Sequence, residues 1–389
     1  MRDVGMNSRE RVLAALNHQE PDRVPFDLCS NASTGIHRIA YSNLRKGLGL
    51  PPSEPAIMHL GLQIVWVEED VHEALKTDFR GIRSSPASGW TLELHEDEKF
   101  RWFMDESGIT RHMPMPDGLY YDLCNSPLAN ASTPEDVAKH PLFPPDDPGR
   151  FIGMKERVDE IRALGKAVVL GGSSGGILEA SQWLRGYENM YCDLAANQPL
   201  AEALFDRILE FKMAYWTRAM QEIGEYVDVI NEGDDYGGQN GLLMSARMWR
   251  KLLKPRLRTL FAHIKSCAPH VKILLHSCGS IREIIPELIE VGVDALNPVQ
   301  VAAAGMNTRE LKRDFGKDIT FWGGGVDTQY VLPTGTPQQV RDEVRRRFED
   351  LSPGGGFVFA AVHNIQADVP AENIIAMREE LLACGVCAD

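Results

Sequence analysis

The sequence predicts an α/β protein, a (β/α)8 barrel with a small antiparallel β-meander inserted. Three observations predict it. From residue 150 onward, helical stretches alternate with short apolar strands that mostly lack a period-2 pattern, as strands covered by helices on both faces do. Six such units run in succession with no central nucleotide fingerprint, which favours a closed barrel over an open sheet. The strands end in polar clusters, at the end where such barrels build active sites.

The elements follow in order. Ser8-Arg9-Glu10-Arg11 opens a helix, with Ser8 as its cap and Val12, Leu13 and Leu16 as its apolar stripe. Pro21-Asp22-Arg23 breaks it, and 24–28 reads as a short strand. The first two barrel units fall within 24–82. Residues 86–130 break the rhythm. Trp90-Thr91-Leu92-Glu93-Leu94-His95 alternates, Phe100–Met104 is rich in strand formers, and turn residues follow. This is the inserted meander, expected to overhang one mouth of the barrel. Helix 154–164 then leads to strand 167–171, helix 199–222 to strand 227–231, and helix 246–267 to strand 271–276. Helix 281–290 leads to strand 293–296, helix 307–315 to strand 319–322, and helix 336–350 to strand 357–361. A closing helix spans 371–383. The whole chain, 1–389, is read as one domain.

Composition narrows the function. Of 389 residues, 43% are hydrophobic and 25% charged, as in ordinary globular proteins. The net charge of −14 and the lack of a long basic stripe argue against nucleic acid and anionic membranes as partners. Arg345-Arg346-Arg347 is flanked by acids and reads as a solvated helix face. There is no apolar run of transmembrane length and no apolar signal core near Met1, so a cytoplasmic location is expected. Seven scattered cysteines fit reduced thiols, and Cys384 and Cys387 near the C-terminus read as idle ones.

The sharpest signal is His276-Ser277-Cys278-Gly279 at the end of the apolar run 271–275. Residues i and i+2 of a strand share a face, so imidazole and thiol leave it together. A thiolate beside an imidazole suits zinc better than magnesium or calcium. Other strand ends carry Gly171–Gly176, Asn231–Gln239, Asn297–Gln300, Gly323–Asp327 and His363–Asp368. Among these, Glu232 and Asp234 are the candidate catalytic acids. Asp235, Tyr236, Gln239, Asn297, Gln300, Asp327, Asn364 and Gln366 are the candidate substrate-binding groups. No Lys or Arg lies between Phe321 and Gln339, so Gly323-Gly324-Gly325 reads as backbone clearance rather than a phosphate cradle.

Over nearly its whole length the chain resembles the uroporphyrinogen decarboxylase superfamily. The resemblance rests on Arg9–Leu13 with Asp22–Pro25, on His276-x-Cys278-Gly279, on Gly324–Asp327 and on Pro370–Ile374. It implies a (β/α)8 barrel and two possible branches: metal-free porphyrinogen decarboxylases and zinc-dependent corrinoid methyltransferases. The decarboxylases carry an Arg-Gln-Ala-Gly-Arg loop after the first strand. Here that place reads Cys29-Ser30-Asn31-Ala32-Ser33-Thr34-Gly35-Ile36-His37-Arg38, without the paired arginines that grip carboxylates. His276-x-Cys278 is similar to the zinc motif of the methyltransferase branch. That branch's third ligand, a cysteine, falls on His363 here, where the decarboxylases also have a histidine. Glu232 or Asp234 is the alternative third ligand.

The resemblance therefore implies a zinc-dependent methyltransferase. It would move a methyl group between a small thiol or methylated compound and a corrinoid (cobalamin) on a partner protein. The chain has no Asp-x-His-x-x-Gly corrinoid motif of its own. Barrels of this kind often pair, so a homodimer is expected. Two alternatives stay open: a decarboxylase acting on a tetrapyrrole or another carboxylate, and a non-catalytic corrinoid- or tetrapyrrole-binding protein.

Overall fold

Asn7 opens the first helix, Ser8–Leu16. Its side-chain oxygen accepts from the Glu10 N–H at 2.9 Å, and the Glu10 carboxylate accepts from the Asn7 N–H at 2.9 Å. The cap is thus Asn7 and not Ser8. A reciprocal cap needs an acidic or amide side chain three residues on, and Ser8 has Arg11 there, bound instead to Asp22 and Asp78. These facts come from a computed structural model that describes residues 5–172 and 174–385.

Seven parallel strands form one curled sheet, each pairing with the next in chain order: Phe79–Ile82, Ala167–Gly171, Val229–Gly233, Lys272–His276, Ala295–Asn297, Thr320–Trp322 and Phe357–Val358. The segment around Phe26 closes the ring. Asp27 N–H donates to the Phe359 carbonyl and Phe359 N–H to the Pro25 carbonyl, both at 2.9 Å. On its other side Asp78 N–H donates to the Phe26 carbonyl at 2.9 Å. Only this bridge, not a full strand over 24–28, is formed.

Strand alternation sorts side chains between two cores. Phe79, Ala167, Val169, Val229, Leu274, Ala295, Trp322, Val358 and Ala360 face the barrel axis, where Val12 and Leu16 of the first helix join them and stopper one end. Val168, Leu170, Ile230, Ile273, Leu275, Leu296 and Phe321 face outward under the helices. The His276 side chain belongs to the inward set, one step beyond Leu274.

Several boundaries differ from the sequence reading. The strand expected at 227–231 runs Val229–Gly233, because Gly224–Tyr226 forms a 3-10 turn that delays it. The helix expected at 246–267 is two, Ala246–Leu252 and Lys254–Cys267, parted beside Pro255, which lacks the N–H needed to continue the ladder. Two helices, Ile177–Arg185 and Tyr187–Ala196, follow the glycine-rich loop where none was predicted. Gly176 and Gly186 stand where their caps would be, so no capping side chain announces them.

The inserted sheet has four antiparallel strands, His95–Glu96, Phe100–Met104, Thr110–Pro114 and Asp122–Asn125. Most of the alternating run 90–95 is not strand. Phe103, Met113 and Tyr121 bury one face of the sheet against Leu60. The sheet is tied to its surroundings by the Tyr121 N–H donating to the Gly61 carbonyl at 2.9 Å. The Arg111 guanidinium also sits 4.8 Å from the centre of the Trp183 ring. Among the described residues no helix is long and apolar enough to cross a membrane.

Candidate metal centre

His276 ends its strand opposite Gly233 on one side and Asn297 on the other. Gly233 has no side chain to fill the space beside the imidazole. The chain then turns sharply. Gly279 has φ +88, and a Cβ there would stand 2.2 Å from the Gly237 carbonyl carbon, so only glycine fits. This turn directs Cys278 back over His276, and Cys278 Sγ lies 3.4 Å from His276 Nε2. His363 arrives from the loop after the last strand, with its ring centre 5.2 Å from that of His276. One ligand atom from each of His276, Cys278 and His363 lies within 4.8 Å of the others.

Two carboxamides orient the imidazoles. Asn297 Nδ2 donates to the Trp322 carbonyl at 3.0 Å, which leaves Oδ1 facing His276 Nδ1 at 2.6 Å. His276 therefore carries its proton on Nδ1 and keeps the Nε2 lone pair free. Asn364 Oδ1 accepts from Gln366 Nε2 at 2.7 Å and also faces His363 Nδ1, so His363 is arranged the same way. Burial pushes the His363 imidazole down to about 4, with His276 adding a smaller push. It is neutral and ready to ligate at neutral pH. Burial also pushes the Cys278 thiol far up, reinforced by Asp235 and Glu179. Without a cation the sulfur keeps its proton, so a thiolate here needs a metal. The donor set of two imidazole nitrogens and one sulfur fits zinc and leaves a fourth position for a substrate.

The predicted polar residues divide into groups. Asp235 belongs to the centre: its Oδ1 accepts the Cys278 N–H at 2.8 Å and lies 3.7 Å from His276 Nε2. Gln300 Oε1 accepts the Gly279 N–H at 2.7 Å, and Gln300 Nε2 donates to Gln239 at 3.2 Å, so both brace the turn. Asn297, Asn364 and Gln366, read as substrate contacts, act on the two histidines instead.

Four candidates point elsewhere. Glu232 faces outward on its strand, where Lys212 Nζ (2.8 Å) and Trp216 Nε1 (2.5 Å) bind it in the buried helix layer. Asp234 accepts the Leu178 and Glu179 N–H groups at 2.9 and 2.7 Å and the Tyr236 hydroxyl at 2.9 Å. It caps the helix Ile177–Arg185 from a neighbouring strand end, with Tyr236 as its buried partner. Asp327 Oδ1 accepts the Gln329 N–H within its own turn. Neither Glu232 nor Asp234 completes the ligand set among the described residues.

Glu179 was missed by the sequence reading. Burial, then Asp235 and Asp234, push its carboxyl well above the usual range. No local motif marks it, because a helix unrelated to the strand ends carries it there.

The uroporphyrinogen decarboxylase (URO-D) profile matches residues 125–382. The chain belongs to the uroporphyrinogen decarboxylase family. No curated protein sequence matches it. Among solved structures, this URO-D family chain is similar to a methyltransferase from Methanosarcina mazei. The TM-score is 0.63 at 19% identity, covering 97% of this chain and 99% of that one. At that identity the likeness concerns the fold. Xylanase 10B from Thermotoga maritima (TM-score 0.39, 11% identity, 62% of this chain and 82% of that one) fits too loosely to bear on it. So does a beta-glucanase from Saccharophagus degradans (0.39, 13%, 61% and 74%).

Proposed function

We propose that this URO-D family chain is a zinc-dependent methyltransferase. It moves a methyl group between a small thiol or methylated compound and a corrinoid carried by a partner protein. The observation that carries the reading is the convergence of His276, Cys278 and His363, two imidazoles and a sulfur at one barrel mouth. Bound zinc would supply Lewis acidity, favouring the thiolate form of a thiol or polarising a methylated one.

The chain's own residues do the rest. Asn297 and Asn364 hold the two imidazoles with Nε2 free. Asp235 fixes the Cys278 backbone, and its charge offsets that of a cation. Glu179, whose carboxyl is pushed well above the usual range by burial and then by Asp235 and Asp234, would in its protonated form offer a hydrogen-bond donor where other acids only accept. The loop 29–38 lacks paired arginines, and its Asn31 side chain is spent on the Ser33 and Thr34 N–H groups. That disfavours a substrate with many carboxylates.

The test begins with metal analysis of protein purified without added zinc. About one zinc per chain is expected from three-ligand logic, lost in His276→Ala and Cys278→Ser. The loaded protein, mixed with a reduced corrinoid protein and a methylated substrate, should change the corrinoid spectrum. Metal-free protein that releases carbon dioxide from a porphyrinogen would overturn the proposal and favour the decarboxylase.

A further inference from the structure

We infer that Tyr120 of the inserted sheet is a positioning residue for His363, acting through Gln366 and Asn364. The inference rests on His363 being a metal ligand. Tyr120 lies in the connection between Thr110–Pro114 and Asp122–Asn125. Its hydroxyl donates to Gln366 Oε1. Gln366 Nε2 is thereby turned toward Asn364, donating to Oδ1 at 2.7 Å and to the Asn364 carbonyl at 3.1 Å. Asn364 Oδ1 is held as an acceptor, and His363 Nδ1 donates to it.

Direction is what matters along this chain. If the Gln366 amide reversed, Oε1 would face Asn364 Oδ1, acceptor against acceptor. Asn364 would have to turn its NH2 toward His363. Nδ1 would then become the acceptor, and the proton would move to Nε2. An imidazole protonated at Nε2 has no lone pair there for a metal. The Asn364 carbonyl, which can only accept, selects the orientation that leaves Nε2 free, and the Tyr120 hydroxyl holds the Gln366 amide in it by donating to Oε1.

Tyr120 is itself clamped. The His37 ring stands edge-on to it, with centres 5.6 Å apart. His37 Nδ1 accepts the Ile39 N–H at 3.2 Å, so Nε2 carries the proton and donates to the Leu119 carbonyl at 3.2 Å. The His37 backbone N–H donates to the Ile365 carbonyl at 2.8 Å. One residue thus braces Tyr120 and the backbone beside Gln366. Residues 35–37 already tie the 363–366 loop to the barrel, since the Ile365 N–H also donates to the Gly35 carbonyl at 2.9 Å. The Tyr120 hydroxyl is therefore not needed to hold the loop in place, and what it adds is a fixed position for the Gln366 amide, whose direction the Asn364 carbonyl sets.

The test uses the full chain, stripped of metal and titrated with cobalt(II), whose visible bands report ligand geometry. Tyr120→Phe keeps the ring against His37 and removes only the hydroxyl. Gln366→Leu breaks the relay at its middle. Each should bind cobalt(II) about three- to tenfold more weakly with altered bands, less than the loss of a group bonded directly to a ligand. The double variant should be no weaker than either single one, because both cut the same chain. Metal-free thermal midpoints should match the native chain, showing that the loss is not one of folding. Tyr120→Phe with native affinity and spectrum, or losses that multiply in the double variant, would overturn the relay while the metal reading stands. A native chain that binds no cobalt(II) overturns both.

Discussion

His363 shows how much one imidazole depends on its surroundings. Burial holds it down to about 4 from an ordinary 6.5, so the folded metal-free chain keeps it neutral through most of the mildly acidic range. The unfolded chain, with the ordinary value, takes up a proton between those limits. Protons therefore favour unfolding as pH falls from 6.5 toward 4, and the loss levels off below that because both states are then charged. The metal-free protein should lose stability steadily across this window. His363→Gln should flatten the slope, as read from urea midpoints at several pH values. An unchanged slope would show that His363 is not buried in this way. Asn297 makes a related point. An asparagine at a strand end reads as a substrate contact, yet both ends of its carboxamide are already occupied, by His276 and by the Trp322 carbonyl.

At the scale of elements, the helix Ile177–Arg185 is placed by an acid outside it. Asp234 caps it across space, and the glycine-rich loop must pass close by. A Cβ on Gly176 would meet Asp234 Cγ and the Gly233 carbonyl oxygen, each at 2.2 Å. Gly176→Ala should cost about 3 kcal/mol, the upper end of overpacking effects, because one obstacle is backbone and cannot yield. It should also disturb Glu179 and so the mouth. Thermal unfolding together with metal affinity reads both effects. The strands were legible because each is a short apolar run bounded by polar loops. The helix Ile177–Arg185 was not, because the loop before it is all glycine and serine and its cap, Asp234, comes from a distant strand end.

Across the whole molecule, strand parity withdraws Glu232 from the barrel mouth. Glu232 turns outward and pairs with Lys212, both nearly sealed from solvent at 4% and 1% side-chain exposure. Lys212→Met should destabilise the chain by about 3–5 kcal/mol, since it strands a buried carboxylate. The double change Lys212→Met with Glu232→Leu should recover most of that loss and leave metal affinity at the native level. Were Glu232 part of the site, the double variant would keep its fold and lose the metal. The inserted sheet works at this scale too, reaching the barrel through Tyr121, Arg111 and Tyr120.

The sequence by itself determined the barrel, since alternating helices and buried strands leave few other ways to cover apolar surface. It also determined the His276–Cys278 pair, because residues two apart in the chain stay close, although the strand ends at His276 and a turn, not strand alternation, places Cys278. Only the tertiary structure decided the rest. His363 meets the pair because the sheet curls round one axis, so that the ends of strands not adjacent in it reach the same mouth. Glu232 is withdrawn because its strand runs on through Gly233, which fixes Glu232 on the outward face with Ile230. Asp234 is committed to a distant helix, and Asn297 and Asn364 face histidines rather than a ligand. Spacing along a chain fixes which face a residue occupies only when the register is known, and register is settled by pairing between segments far apart in sequence.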